Sequence, residues 1–547
     1  MRGLMQNHEL TIASVIDHAA RFYGEVEIVS RPIDEPIHRG TYQDCVGRSR
    51  RFSHALQRLG IKPGDRIGGA AWNHGRYLET FYGVAGAGGI LHTINPRLFA
   101  EQLVYTVNHA QDRLIVTDTA CLSIFEAVRD QLETVEGYIV LANAGDMPAT
   151  ELANVHCYED LIADADTDFS WAKVDERDGS GLCYTSGTTG DPKGVLYSHR
   201  SSVLNALGFT SPNGVGIGFN DVLMPIVPFF HGNGWGVPYA APMAGAKLVL
   251  PGREMEMDKL HELIVNESVT VAMAVPTVWI AMLEYLRATD GDLGGLQRIV
   301  TGGSAPPRAL IEQLQVEYGV TTSHAWGMTE TSAAATYSHP PKNVDLAEAL
   351  DIRATQGRPV YGVEIKVTDD AGQILPWDGA SAGDLKASGF WIASDYFQAP
   401  DKPAVDDDGW LITGDIGVIG PDGNLRLTDR AKDVIKSGGE WISSIDLENA
   451  AVGHPDVVEA AVIAIPHERW QERPFLIVVR RSDSTTSADD ILTWLGERVA
   501  KWWLPEEIAF VDEIPHTGTG KINKVALRQQ FADKNPDLAT SHQLPQG

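Results

Sequence analysis

The chain has 547 residues, more than one hydrophobic core serves, so at least two domains are expected. Its 43% hydrophobic and 21% charged residues are ordinary for a globular enzyme, but 44 basic against 73 acidic residues leave a net charge of −29. So acidic a surface argues against nucleic acid and against docking on anionic lipid, while any single cleft can still bind an anion through the few charges that line it.

Residues 1–10 carry no long apolar core, so no signal peptide is expected, and no run approaches the roughly 18 apolar residues of a membrane span. Residues 12–22 and 42–59 have apolar side chains at helical spacing, the second run stopping at Gly60. A turn over 62–65 leads to a predicted strand over 66–71. Residues 77–89 read as a glycine-rich helix feeding a strand over 90–94. Gly83, Gly86 and Gly88 look faintly like a dinucleotide loop, but no strand precedes them in the required order, so close helix packing is the better reading. Further short apolar runs over 114–117, 138–142, 182–185, 248–250, 271–275 and 298–300 predict strands between helices. The fold class is therefore α/β: a large N-terminal domain with doubly wound parallel sheets. From 362 to 427 the runs shorten and turns multiply, which predicts small antiparallel sheets and a β-barrel-like part of that domain. After Arg430 a compact α+β segment begins, with 458–465 and 475–479 as a hairpin, and the polar tail after Asp537 is expected to fray. Cys45, Cys121, Cys157 and Cys183 lack CxxC spacing, so neither a zinc site nor a disulfide framework is expected, and a cytoplasmic enzyme is the default.

The most informative stretch is Tyr184-Thr185-Ser186-Gly187-Thr188-Thr189-Gly190-Asp191-Pro192-Lys193-Gly194. Hydroxyls, free backbone N–H groups and glycines packed after an apolar strand suit a polyphosphate, and Lys193 adds a positive charge. It is not a Walker A loop, because Lys193 follows Pro192 and precedes Gly194. The run Thr517-Gly518-Thr519-Gly520-Lys521 also fails, with Pro515 where the first glycine belongs and Ile522 where the hydroxyl belongs.

The loop resembles the phosphate-binding loop of the adenylate-forming (AMP-binding) acyl-CoA synthetases. Further blocks resemble that family in the right order: Pro228-Phe229-Phe230-His231-Gly232, Thr301-Gly302-Gly303-Ser304-Ala305-Pro306, Trp326-Gly327-Met328-Thr329-Glu330, Thr413-Gly414-Asp415, residues 429–443, and Gly518-Thr519-Gly520-Lys521. The resemblance implies ATP, Mg²⁺ and CoA as reaction partners of a small carboxylic acid. It places ATP or AMP on Thr185 to Gly190, Lys193, Gly303 to Pro306, His324, Ala325, Trp326, Gly327, Met328, Thr329, Asp415 and Arg430. It places the acid beside His231, Trp235, Gly302, Gly303 and Trp326, and Mg²⁺ on Thr185 and Glu330. Ser437, Gly438, Gly439, Glu440 and Trp441 would receive CoA, and Lys432 would be the hinge between domains 1–430 and 431–547. Lys521, His231 and Glu330 would carry the chemistry. Lys524 reads as a surface lysine, and Asp415 as an acceptor placed just after a strand.

Each role also suits its residue type. Glu330 is a hard oxygen donor for Mg²⁺. Trp326 stands where the family more often has Tyr, so adenine would meet a larger face without the phenol. Lys521 would bridge two repelling anions, the substrate carboxylate and the α-phosphate. Trp235, four residues after His231, would shorten the acyl pocket. With 326–328 and 501–505 it looks like the branch that holds medium-chain acyl-CoA ligases and 3-methylmercaptopropionate:CoA ligases. The expected reaction is ATP-dependent acid:CoA ligation by a homodimer; the alternative is an acyl-AMP ligase or adenylation protein that loads a carrier protein.

Overall fold

Helix Ile12–Phe22 starts where Thr11 becomes extended and its side chain accepts the Ser14 N–H. Helix Tyr42–Arg58 starts at Thr41, which forms a capping box with Asp44. These helices and Gly75–Gly86 pack together beside two large sheets in the computed structural model, which describes residues 3–166, 169–185, 191–430, 433–437, 440–467, 469–481, 484–516 and 521–532. The polar tail after Asp537 lies outside them.

The first sheet has nine strands. From edge to edge they are Arg358–Pro359, Thr336–Tyr337, Thr321–Trp326, Arg298–Gly302, Val271–Ala274, Val222–Pro225, Lys247–Leu250, Glu27–Ser30 and His38–Thr41. Its centre is parallel and its edges are antiparallel. The second has seven strands, in the order Val155–Cys157, Gly137–Val140, Asp112–Thr117, Arg66–Ala70, Ile90–Thr93, Gly179–Tyr184 and Gly194–Ser198, parallel except for the last pair. Val271–Ala274 and Ile90–Thr93 are buried at every position, as strands covered on both faces must be. The strands read from the sequence are thus present, with their ends shifted by up to three residues.

Val363–Thr368, Gly383–Gly389, Leu411–Ile419 and Leu425–Arg430 make the expected antiparallel sheet. Asp415 lies in the middle of Leu411–Ile419 rather than after a strand; the glycine before it, at φ 69°, bends the strand without ending it. The smaller C-terminal part is built on a hairpin of Val457–His467 and Gln471–Arg480, with Glu507–Val511 added in parallel and Ile435–Ser437 and Glu440–Ile442 beyond. Helices Ser444–Val452, Ala488–Gly496 and Lys524–Ala532 accompany it. Among the described residues no helix is long and apolar enough to cross a membrane.

The glycines of Gly75–Gly86 serve helix packing. A Cβ on Gly83 would sit 2.5 Å from Cδ1 of the buried Phe52, and one on Gly86 would sit 2.3 Å from Trp171. Gly83→Ala gains up to about 1 kcal/mol of helix propensity but meets an overpacking cost of roughly 1–3 kcal/mol. We expect a lower melting temperature for Gly83→Ala; one that holds or rises would show that Phe52 yields without strain.

Candidate active site

Some parallel strands of each sheet end at one cavity of about 570 Å³. Thr93 and Tyr184 reach it from the second sheet, and Ala274, Gly302 and Trp326 from the first. This is the carboxyl-end crevice where open α/β sheets bind ligands.

The phosphate-loop candidate joins two antiparallel strands, Gly179–Tyr184 and Gly194–Ser198, so no helix follows it as one follows a Walker A loop. Its two ends are tied: Thr185 N–H donates to the Lys193 carbonyl at 2.9 Å, and Lys193 N–H donates to Thr185 Oγ1 at 3.1 Å. Ser186, Gly187, Thr188, Thr189 and Gly190 lie outside the described residues. Lys193 Nζ stands 4.5 Å from the centre of the Tyr396 ring, and the Tyr396 hydroxyl donates to Glu330 Oε1 at 2.7 Å. Tyr396 thus links the cation of the loop to the buried Glu330. It sits in no motif, so nothing in the sequence singled it out.

Trp326 ends the strand Thr321–Trp326 and is buried. Its Nε1–H donates to Asp415 Oδ2 at 2.8 Å, while Arg430 Nε pairs with Asp415 Oδ1 at 2.9 Å. Both oxygens of Asp415 are therefore engaged already, and each keeps capacity for one further donor. The indole that replaces the expected phenol is thus an anchored platform. Gly327 is required by close approach, because a Cβ there would lie 1.5 Å from the Ala333 carbonyl oxygen.

Ala325, Gly327, Met328 and Thr329 line the cavity along with Gly303, whereas Ser304, Ala305, Pro306, Glu330, Asp415 and Arg430 do not. His324 does not line it either. Its Nδ1 donates to the Ala354 carbonyl at 3.2 Å, and burial holds its pKa down at about 4.

The segment Gly232–Gly236 has φ values of 46°, 46°, 64°, 54° and 76°, a continuous left-handed turn. Glycine takes this conformation freely, asparagine tolerates it, and Trp235 does not. The turn is pinned where Thr93 Oγ1 donates to Asn233 Oδ1 at 3.2 Å. It delivers the Trp235 indole over Gly302, where Cη2 would stand 3.5 Å from a Cβ on that glycine. Ile226, Met255, Ala274, Val278 and Ala334 complete an apolar wall that the sequence did not reveal. His231 is part-buried, yet its Nε2 is enclosed and has no hydrogen-bond partner among the described residues. Desolvation first, then the charges of Lys521 and Arg97, push its pKa down to about 3, so it is a neutral imidazole at physiological pH. Arg97, which lies 4.9 Å from the Trp72 ring centre, also lines the cavity and carried no sequence signal.

From the C-terminal part, His516, Lys521, Asn523 and Val525 reach the same cavity. Cε of Lys521 lies 3.5 Å from a Cβ built on Gly303, so its stem packs across that glycine. Burial and then Arg430 lower the Lys521 pKa to about 8, against the opposing pull of Asp415 and Glu330. Ser437 is not in the cavity; its Oγ accepts from Arg473 Nη1 at 3.2 Å. Glu440 and Trp441 lie on the short strand Glu440–Ile442. Gly438, Gly439 and Lys432 lie outside the described residues. The segment 501–505 opens with the 3₁₀ turn Lys501–Trp503, its carbonyls at Trp502 and Leu504 accept from Arg473, and it does not line the cavity. Lys524 is not a surface lysine: its side chain is 12% exposed and pairs with Glu448 at 2.8 Å.

Comparison with known proteins agrees with this geometry. The family model for AMP-binding enzymes matches residues 16–397, and that for the AMP-binding enzyme C-terminal domain matches 446–521. A 3-methylmercaptopropionyl-CoA ligase of Ruegeria lacuscaerulensis is 45% identical over 97% of this chain and 99% of its own length. A medium-chain-fatty-acid–CoA ligase of Ectopseudomonas oleovorans is 44% identical over 97% and 98%. The crystal structure of a benzoate CoA ligase from Burkholderia xenovorans superposes with a TM-score of 0.81 at 25% identity, covering 95% of this chain and 100% of the other. The chain therefore belongs to the AMP-binding enzyme family.

Proposed function

We propose that the protein is an AMP-forming acid:CoA ligase that acts on a short- or medium-chain carboxylic acid, 3-methylmercaptopropionate among them. The observation that carries this reading is a single cavity in which Lys521 faces an apolar wall closed by Trp235. The names of the two curated relatives fit both the reaction and the size of the acid.

The acid's carboxylate attacks the α-phosphorus of ATP, giving acyl-AMP and pyrophosphate; the CoA thiolate then displaces AMP. Lys521 would bridge the two anions in the first step, and neutral His231 would orient the carboxylate through its unsatisfied Nε2 without acting as a base. Trp326 would support the adenine, and Asp415 with Arg430 would hold the ribose side. Glu330 keeps one oxygen clear of Tyr396, and Thr185 keeps hydroxyl capacity, which fits a Mg²⁺ held largely by the nucleotide. When bound, that ion would neutralise phosphate charge. We divide the chain at 430/431 and place a pivot at Lys432. The orientation described has Lys521 at the cavity, and a second would bring in 437–441 for CoA. The buried thiols of all four cysteines fit a cytoplasmic enzyme; the homodimer rests on the family reading.

Lys521→Ala should reduce adenylation by roughly 10²–10³ or more while largely sparing thioester formation from supplied acyl-AMP, because the charge it offsets arises in the first half-reaction. Pyrophosphate release and thioester yield with free CoA measure the two halves. Equal damage to both would make Lys521 structural, and no thioester from free CoA would remove the CoA reading.

The pH dependence follows from the same lysine. Its charged form is present below its pKa and is lost as pH rises through about 8. Adenylation kcat/KM should therefore fall above about pH 8. Lys521→Arg should flatten that limb, whereas a limb that persists would assign it to another group.

Trp235→Ala should shift the preferred acid towards longer chains, by up to about 0.8 kcal/mol per added buried methylene. In the wild type, 3-methylmercaptopropionate should match or beat butyrate, since sulfur beside an aromatic ring gains about 0.3–1.5 kcal/mol. An acid panel scored by pyrophosphate release checks both, and an unmoved profile in the variant would take Trp235 off the pocket wall.

A further inference from the structure

The strand Leu425–Arg430 ends just before the proposed pivot, and two of its acceptors reach across to the small domain. The Thr428 carbonyl accepts from the Ser443 hydroxyl, and Asp429 Oδ2 accepts the Ser444 N–H at 2.9 Å. Asp429 thereby stands at the N-terminus of helix Ser444–Val452, where a carboxylate is favoured. The side chain of the fully buried Ser444 then accepts from Lys524 Nζ, which also donates to Glu448 at 2.8 Å. Glu448 in turn accepts the Val462 N–H at 2.8 Å, which fixes it to the small domain's hairpin. On the same side Arg528 pairs with Asp433 at 2.6 Å.

Lys524 opens helix Lys524–Ala532 three residues after Lys521. Between them Asn523 donates its N–H to the Pro515 carbonyl at 2.7 Å and accepts the Ala526 N–H on its side chain at 3.1 Å. Ile522 bridges to His516. Three residues of chain span at most about 10 Å, so a helix start pinned at Lys524 and Asn523 leaves Lys521 little freedom.

Given the ligase reading above, we propose that Lys524 is a positioning residue for adenylation. Together with Ser444, Glu448 and Asp429 it forms a buried latch across the pivot that holds the small domain where Lys521 enters the cavity. The latch must open for the second orientation, because Thr428 and Asp429 precede the pivot and their partners follow it. Burial alone would lower the pKa of Lys524, but the carboxylates of Glu448, Asp429 and Asp433 raise it, so the cation stays charged. Removing that cation leaves buried carboxylates facing one another without compensation.

The test is to measure the two half-reactions separately in Lys524→Met, which keeps chain length and removes the charge. Misplacing Lys521 by about 1 Å should slow pyrophosphate release on the order of 10²-fold. Thioester formation from supplied acyl-AMP and CoA should stay within about twofold of wild type or rise, since an open latch does not impede the second orientation. A structural role alone would slow both halves alike, and that result overturns the proposal, as does an unchanged first half-reaction. If Lys524→Met does not fold, Asp429→Ala, which removes the carboxylate that takes the Ser444 N–H across the pivot, carries the same test with the same split expected. Lys521→Ala run in parallel separates two failures. If it splits the half-reactions and Lys524→Met does not, the latch is wrong; if neither splits them, the role given to Lys521 is wrong.

Discussion

The site hangs on the carboxylate of Asp415. It is 2% exposed and sits in the middle of the four-stranded sheet. One oxygen takes the indole N–H of Trp326, the last residue of a central strand in the nine-stranded sheet, and the other takes Arg430, the last residue described before the proposed pivot. Its charge also opposes the loss of the proton from Lys521. One anion thus joins the large sheet, the strand that leads to the small domain and the cation delivered by that domain. A buried carboxylate left without its partners costs about 3–5 kcal/mol. Arg430 is 41% exposed, so solvent screens that half of the arrangement, and the Trp326 hydrogen bond is the drier and more rigid half.

The second constraint is backbone strain beside the apolar wall of the cavity. A left-handed residue other than glycine costs roughly 1–2 kcal/mol, and Trp235 carries that cost within the Gly232–Gly236 turn. An ordinary turn would not need three glycines in alternation around a tryptophan. The conformation persists because its neighbours fix it: Asn233 is held by Thr93, and the indole lies on the bare backbone of Gly302. The position of Trp235 in the cavity wall thus depends on glycines in two different segments.

The sequence made the parallel strands legible because buried, β-branched runs recur between helices, and it made the nucleotide-side residues legible because their motifs are contiguous. Thr185, Trp326, Gly303 and Lys521 do meet at one cavity. What escaped were relations across the chain. Tyr396 joins Glu330 and Lys193 from 66 and 203 positions away, and a lone tyrosine in an irregular segment has no period or neighbour to mark it. Asp415 was misplaced relative to its strand because Gly414 looks like a terminator, whereas the strand continues through it. His324 is adjacent in sequence to cavity residues, but its ring is held away from the cavity on the Ala354 carbonyl. Lys524 looked solvated because its partners, Ser444 and Glu448, lie about eighty residues earlier.

These relations share an electrostatic logic. On the proposed reading, a protein with a net charge of −29 would bind a polyanion with few cations, each held by something other than bulk charge. Lys193 rests on an aromatic ring, Arg430 on Asp415, and Lys521 on the stem contact with Gly303. Neutral His231 adds no positive charge that would have to be desolvated alongside Lys521. A cation whose pKa is already drawn down to about 8 by burial is stabilised when phosphate arrives and is exposed to that cost when it leaves. On the proposed reading, the small domain would therefore gain most from bringing Lys521 in while ATP or the forming adenylate is present. With two orientations as proposed, the same burial would favour withdrawing it once pyrophosphate has gone, so the departure of the first product would push the rotation in the direction the second step needs.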